Sequence, residues 1–202
     1  MMIVNVLENG LSLISKDKNS LVANEIIKML ANQITSLKKL SCYHSHYYKH
    51  NFNISFPYFP GARDLSELCC SSDLPSDFFN QLSQICHNLQ SISIDFRSIV
   101  NSSVKDLISS QNNLKDLNLS AFDDGSWTDI IPAITKHSHT ITKLKFRNAS
   151  PDDLESFFIC WERRTPKKLL SFTIIGNIEY QLHCGYNSLE TLKVIEKYEN
   201  LE

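Results

Sequence analysis

Glycine is scarce in this chain, five residues in 202, and none of the five sits in a phosphate-cradling pattern. Neither G-x-x-x-x-G-K-[ST] nor G-x-G-x-x-G occurs, and H-E-x-x-H and G-x-S-x-G are also missing, so the usual nucleotide, zinc-protease and hydrolase signatures are not available to it. The sequence therefore points away from an enzyme and names no cofactor. A basic excess is missing too: the formal net charge is −2 and the isoelectric point about 6.4, which argues against general binding to nucleic acid or to an anionic membrane. Met1 to Gly10 has no basic segment followed by an apolar one, and no apolar run approaches the roughly 20 residues of a membrane span. A cytoplasmic or nuclear protein is expected. Six cysteines, Cys42, Cys69, Cys70, Cys86, Cys160 and Cys184, show no C-x-x-C spacing and read as small buried hydrophobes in a reducing compartment.

What the chain does have is recurrence. Asn113 to Ser120 reads N-L-K-D-L-N-L-S, where Leu117 and Leu119 alternate with Asp116 and Asn118, the period of a strand with one dry and one wet face. The same L-x-x-L-x-L template fits Leu37, Leu40 and Cys42; Leu65, Leu68 and Cys70; Leu89, Ile92 and Ile94; Ile141, Leu144 and Phe146; Leu169, Phe172 and Ile174; and Leu189, Leu192 and Val194. First positions are 28, 24, 25, 27, 28 and 20 residues apart, inside the leucine-rich-repeat range of roughly 20–29. One match in a chain with 42% apolar residues means little. Seven in phase predict an architecture.

Helix-start signals lie between the strands. Ser150 precedes Pro151 and Asp153, leading into Leu154, Phe157, Phe158 and Trp161. Ser103 with Asp106 and Ser126 with Asp129 are capping-box-like. Ser76 precedes Phe78, Phe79, Leu82 and Ile85, and Val22 to Ile34 carries a similar apolar face. Trp127 and Trp161 are expected in the core. The predicted fold is α/β, a single leucine-rich-repeat solenoid of about seven irregular repeats, with parallel strands inside a curved horseshoe and helices outside. Residues 1–36 form a partial first repeat, with Leu11 and Ile14 as a degraded strand. Residues 37–64 carry an aromatic insertion. Full repeats follow at 65–88, 89–113, 114–140, 141–168 and 169–188, and 189–202 is a truncated last one. Without a polar capping repeat after it, a longer native form is expected.

Function is expected on the wet face of the strands. The alternate positions are Lys39, Ser41 and Tyr43; Glu67, Cys69 and Ser71; Ser91, Ser93 and Asp95; Asp116, Asn118 and Ser120; Lys143, Lys145 and Arg147; Ser171, Thr173 and Ile175; and Thr191, Lys193 and Ile195. The middle strands lean acidic and the fifth is basic at all three positions. Such a strip either selects a protein of complementary, two-signed charge or is a solvated face and nothing more. A second candidate is the insertion between Tyr43 and Asp64, where Tyr47, Tyr48, Phe56 and Tyr58 crowd with three further rings. These either anchor a partner or cover the convex side where a helix would pack. Cys42, His44, His46 and His50 include zinc-ligand types, but no second ligand pair follows at finger spacing, so no metal site is assigned. His87, His137, His139 and His183 lie near helix ends or connections.

The repeats Leu89 to Asn113, Leu114 to Thr140 and Ile141 to Lys168 resemble the degenerate, Asn/Ser/Lys-rich repeats of fungal-type F-box/LRR proteins, and the resemblance covers residues 11–195. It implies a ribonuclease-inhibitor-like domain that recruits a protein substrate, while a separate F-box engages Skp1 and the cullin of an SCF-type ubiquitin ligase. No F-box precedes the repeats, and Asp73 to Phe79, though it contains an L-P pair, stands in register as a strand-to-helix turn. The Asn of the longer L-x-x-L-x-L-x-x-N pattern is kept only in the sixth repeat, at Asn177; elsewhere the position holds Ser45, Asp73, Arg97, Phe122 and Ala149. The resemblance thus implies a substrate-recognition part or a relative lacking the F-box. The alternative is a free-standing leucine-rich-repeat scaffold or inhibitor unrelated to ubiquitination.

Overall fold

A computed structural model describes residues 4–5, 35–42, 60–96, 102–121, 127–163, 170–175 and 188–198. Its strands are β1 (Val4–Asn5), β2 (Lys39–Cys42), β3 (Glu67–Ser71), β4 (Ser91–Phe96), β5 (Asp116–Ala121), β6 (Lys143–Arg147) and β7 (Ser171–Ile175). The α-helices among the described residues are α1 (Ser76–Ile85), α2 (Ser102–Ser109), α3 (Ile131–Thr135), α4 (Pro151–Glu162) and α5 (Ser188–Tyr198), with short 3-10 turns at Pro60–Asp64 and Thr128–Ile130. All seven strands form one sheet in chain order, and every pairing is parallel.

The register follows the apolar template. Leu40, Leu68, Ile92, Leu117, Leu144 and Phe172 stand opposite one another across five successive pairings, and Cys42, Cys70, Ile94, Leu119, Phe146 and Ile174 form a second row. A parallel strand slipped by one residue would turn its apolar set toward solvent, so burial on one side fixes the register. In β4 the alternation is complete: Ile92, Ile94 and Phe96 are buried, while Ser91, Ser93 and Asp95 keep partial exposure. The first template position, just before each strand, is also buried at Leu37, Leu65, Leu89, Leu114 and Ile141.

The way into each strand repeats at the level of single atoms. The Lys38 carbonyl accepts from the amides of Ser66 and Glu67, that of Ser66 from Gln90 and Ser91, that of Gln90 from Lys115 and Asp116, and that of Lys115 from Thr142 and Lys143. A carbonyl has two lone pairs and can hold two donors. Each turn is thereby locked to the one before.

The helices lie along the dry face, each touching the next, and share one core with the strands. Toward the C-terminal side that core is aromatic. Phe146 lies 4.6 Å from Trp127, 5.2 Å from Phe157 and 5.4 Å from Phe172, and Phe157 stacks on Trp161 at 5.1 Å. Both tryptophans are buried, as expected.

Of the capping signals, Ser150 acts as anticipated: its Oγ accepts the Asp153 amide at 3.1 Å. Asp153 does more than cap. Its carboxylate is buried and accepts from Ser150 Oγ (2.7 Å), Thr128 Oγ1 (2.9 Å) and the Trp127 amide (3.0 Å), tying α4 to the turn of the preceding repeat. Ser103 is not a cap, because α2 begins at Ser102 and Ser103 is buried in its first turn. Ser76 opens α1, but the preceding Pro75 makes no side-chain capping bond. Ser126 and the Val22 to Ile34 segment lie outside the described residues.

Two expectations are corrected. Leu189 to Val194 is not a seventh template strand but part of helix α5, because Leu189-x-x-Leu192 fits helical spacing as well as the template. Glu190 near its start and Lys197 near its end suit the helix dipole. The helix packs on α4, with Lys197 Nζ 2.6 Å from Glu155 Oε1 and Tyr198 stacked on Phe158 at 5.0 Å. Lys193 therefore leaves the sheet, as do Thr191 and Ile195. Second, Ser71 and Ser120 sit at alternate positions yet are buried; at a strand's end the chain begins to turn, and Ser71 Oγ donates to the Asp95 carbonyl at 3.4 Å. The neighbour of β2 is Val4–Asn5; the Leu11 to Ile14 segment lies outside the described residues.

A ladder of side chains that the template does not contain links the ends of the helices. Cys86 Sγ donates to the Ala62 carbonyl (2.9 Å), Gln111 Nε2 to the Cys86 carbonyl (2.8 Å), and His137 Nε2 lies 2.7 Å from the Ile108 carbonyl. The oxygen of Gln111 also accepts the Leu89 amide at 3.0 Å. At the far end of the strands, just after β6, Asn148, with a left-handed φ of 56°, donates from Nδ2 to the Ala121 carbonyl at 2.9 Å.

Two outcomes follow for stability. Replacing Asp153 with Ala should cost about 2–4 kcal/mol, since it strands three donors around a buried site, against about 1 kcal/mol for Ser150→Ala; urea unfolding of both variants checks the order. Burial holds the His137 pKa below its usual 6.5, with the charges of Lys136 and His139 acting the same way and the Ile108 carbonyl opposing. The unfolded chain therefore takes up a proton first. This group's contribution is complete above about pH 6.5 and is lost as pH falls through that value toward the folded-state pKa. Unfolding midpoints between about pH 7.5 and about pH 5.5 should fall more steeply for the wild type than for His137→Gln, which keeps a donor for Ile108 without the titration.

Candidate interaction surface

The register assembles the wet face into columns running across the sheet. One is Lys39, Glu67, Ser91, Asp116, Lys143 and Ser171; the next is Ser41, Cys69, Ser93, Asn118, Lys145 and Thr173; the third register row is Ser71, Asp95, Ser120, Arg147 and Ile175, in which Ser71 and Ser120 are buried and only Asp95, Arg147 and Ile175 reach the surface. Neighbours within a column are about 4.8 Å apart at the backbone and alternate positions along a strand about 6.6 Å apart. Residues more than a hundred positions apart in sequence thus share one surface.

Charge on that surface is handled differently at its two ends. Lys39 Nζ lies 2.9 Å from Glu67 Oε2, with the side chains 41% and 48% exposed, and the hydrogen bond and then the charge of Glu67 raise the Lys39 pKa. In the middle, Asn118 Nδ2 donates to Ser93 Oγ at 3.0 Å, while Asp95 and Asp116 are half-buried. On β6, Lys143 and Arg147 are exposed and Lys145 half-buried. Among the described residues none of these three joins an ion pair.

The structure thus gathers Lys39, Glu67, Asp95, Asp116, Asn118, Lys143, Lys145 and Arg147 on one sheet face and removes Lys193 to the exposed side of α5. Tyr43, Tyr47, Tyr48, Phe56 and Tyr58 lie outside the described residues, as do His44, His46 and His50. Among the described residues no three His, Cys, Asp or Glu side chains are grouped to hold a metal. The described cysteines are free thiols. Burial pushes Cys42 and Cys86 up to about 12 and Cys70 well above its usual value, so these three are poor nucleophiles. No described helix is long and apolar enough to cross a membrane.

Sequence reasoning missed the side-chain ladder. Its signal was a small or polar residue three or four positions before each leading Leu or Ile, a place filled in turn by Cys86, Gln111 and His137. Compared with protein-family models, with curated proteins and with solved structures, the chain finds no match in any of the three.

Proposed function

We propose that this chain is a leucine-rich-repeat solenoid whose polar sheet face binds another protein, and that it serves as the substrate-recognition part of an SCF-type F-box/LRR ubiquitin ligase, in the cytoplasm or nucleus. The observation carrying the reading is the in-register polar face: six strands in chain order turn two rows of apolar residues inward and two full columns of mainly polar and charged ones outward, with Asp95 and Arg147 beside them in the third row. Stacked repeats that cannot bury their own apolar face are built to present such an extended surface. Complementary charge across that surface selects partners and speeds their encounter. The link to a ligase rests on the likeness of the repeats to F-box/LRR proteins, with Skp1 and a cullin reached through an F-box outside these residues.

Affinity capture from the native cell lysate tests this, with the natural protein that carries these residues and its Lys143→Glu/Arg147→Glu variant as paired baits. The expected result is a set of proteins retained by the wild type and lost by the variant, together with Skp1 and cullin in both. Partners lost in the variant without the ligase core would leave a free-standing interaction module. Identical sets from both baits would remove the sheet face from the account.

A further inference from the structure

The three cations of β6 are unlike the other charges of the sheet face. Lys39 has its acid, Glu67, on the adjacent strand. Lys145, by contrast, is flanked across the sheet by Asn118 and Thr173, and Arg147 by Ser120 and Ile175; only Lys143 has an acid, Asp116, opposite it. The nearest acid in the row of Arg147 is Asp95, two strands away, or about 10 Å. Three like charges on alternate residues of one strand repel one another, and no described acid pairs with them.

From this we infer that β6 docks an extended acidic segment of a partner protein, with carboxylates on alternate residues meeting Lys143, Lys145 and Arg147. The spacing carries the argument. Alternate side chains of an extended peptide recur about every 6.6 Å, the same interval that separates the three cations along β6. An extended segment laid over the strand therefore brings its carboxylates to all three at once, and two of the three offer planar or point-charge donors with no internal competitor. The surroundings favour a peptide over a nucleic acid. Among the described residues no aromatic platform for base stacking stands in the three columns, and Ile175, half-buried beside Arg147, gives apolar surface suited to a side chain rather than to a phosphate backbone. The inference rests on the sheet face being the recognition surface and names the chemistry recognised there.

The test uses the full chain and a fluorescent peptide alternating Glu and Thr, with a Gln/Thr peptide as control. Fluorescence anisotropy should show binding of the Glu peptide that weakens several-fold between about 50 mM and about 200 mM salt, as screened charges require. Lys145→Gln/Arg147→Gln should weaken it about tenfold and Lys145→Glu/Arg147→Glu more than that, while Lys105→Glu, an exposed change on α2 of the same sign, should leave it unchanged. Circular dichroism melts confirm that the variants stay folded. Equal affinity for the Glu and Gln peptides, or equal loss in Lys105→Glu, overturns the inference, as does preferential displacement of the peptide by a single-stranded oligonucleotide. If the lysate partners of the wild type are retained by Lys145→Glu/Arg147→Glu, the interaction module stands and the acidic-strand inference alone falls. A chain that captures no protein at all defeats the module itself.

Discussion

No repeat of this size can bury its own apolar face, and the rest of the structure follows from how that deficit is met. A five-residue strand and a short helix leave one side of each dry and uncovered. The deficit is removed only when the next strand lies alongside in register, so that Leu68 covers Leu40, Ile92 covers Leu68, and the row continues through Leu117 and Leu144 to Phe172. Because burial fixes one face, the opposite face is fixed too, with no further instruction from the residues on it. That freedom is what allows a charged surface to be written on β3 to β6 at little cost to folding.

The backbone bonding between repeats serves the same constraint. The turns that lead into the strands would bury unpaired carbonyls and amides, and buried polar groups must find partners. Two-donor carbonyls at Lys38, Ser66, Gln90 and Lys115 meet this need before the strands. Cys86, Gln111 and His137 meet it at the ends of the helices, and Asn148 after β6. These side chains are chemically different but do one job, donating to a carbonyl of the preceding repeat. Asp153 is the acceptor counterpart, holding the Trp127 amide and the Thr128 hydroxyl from its place at the start of α4.

Much of this was legible in the sequence because apolar spacing is a direct record of burial. The six templates from Leu37 to Ile174 led to six of the strands, and the alternation in each gave the outward residues. The seventh failed at Leu189, where two leucines three apart suit a helix equally and Glu190 and Lys193 beside them favour one. Ser71 and Ser120 were misplaced because small hydroxyl side chains carry no sign of which way the closing residues of a strand turn. The ladder was invisible for a different reason. A pattern search looks for one residue type, whereas the requirement at Cys86, Gln111 and His137 is for a donor of suitable reach. Asn148 was passed over since it stands one position before the place where the repeat template puts its Asn.

The central claim is that the strands stack in chain order, so that outward residues form columns across the sheet. Spin labels introduced through an unnatural amino acid, one at Lys39 and the second in turn at Ser91, Lys143 and Ser171, measure this directly. Separations that lengthen in that order, by about 4.8 Å per intervening strand and so near 10, 19 and 24 Å, are the result expected. A separation to Ser171 shorter than that to Ser91 would mean the sheet is ordered differently, and the charged columns on which the proposed recognition rests would not exist.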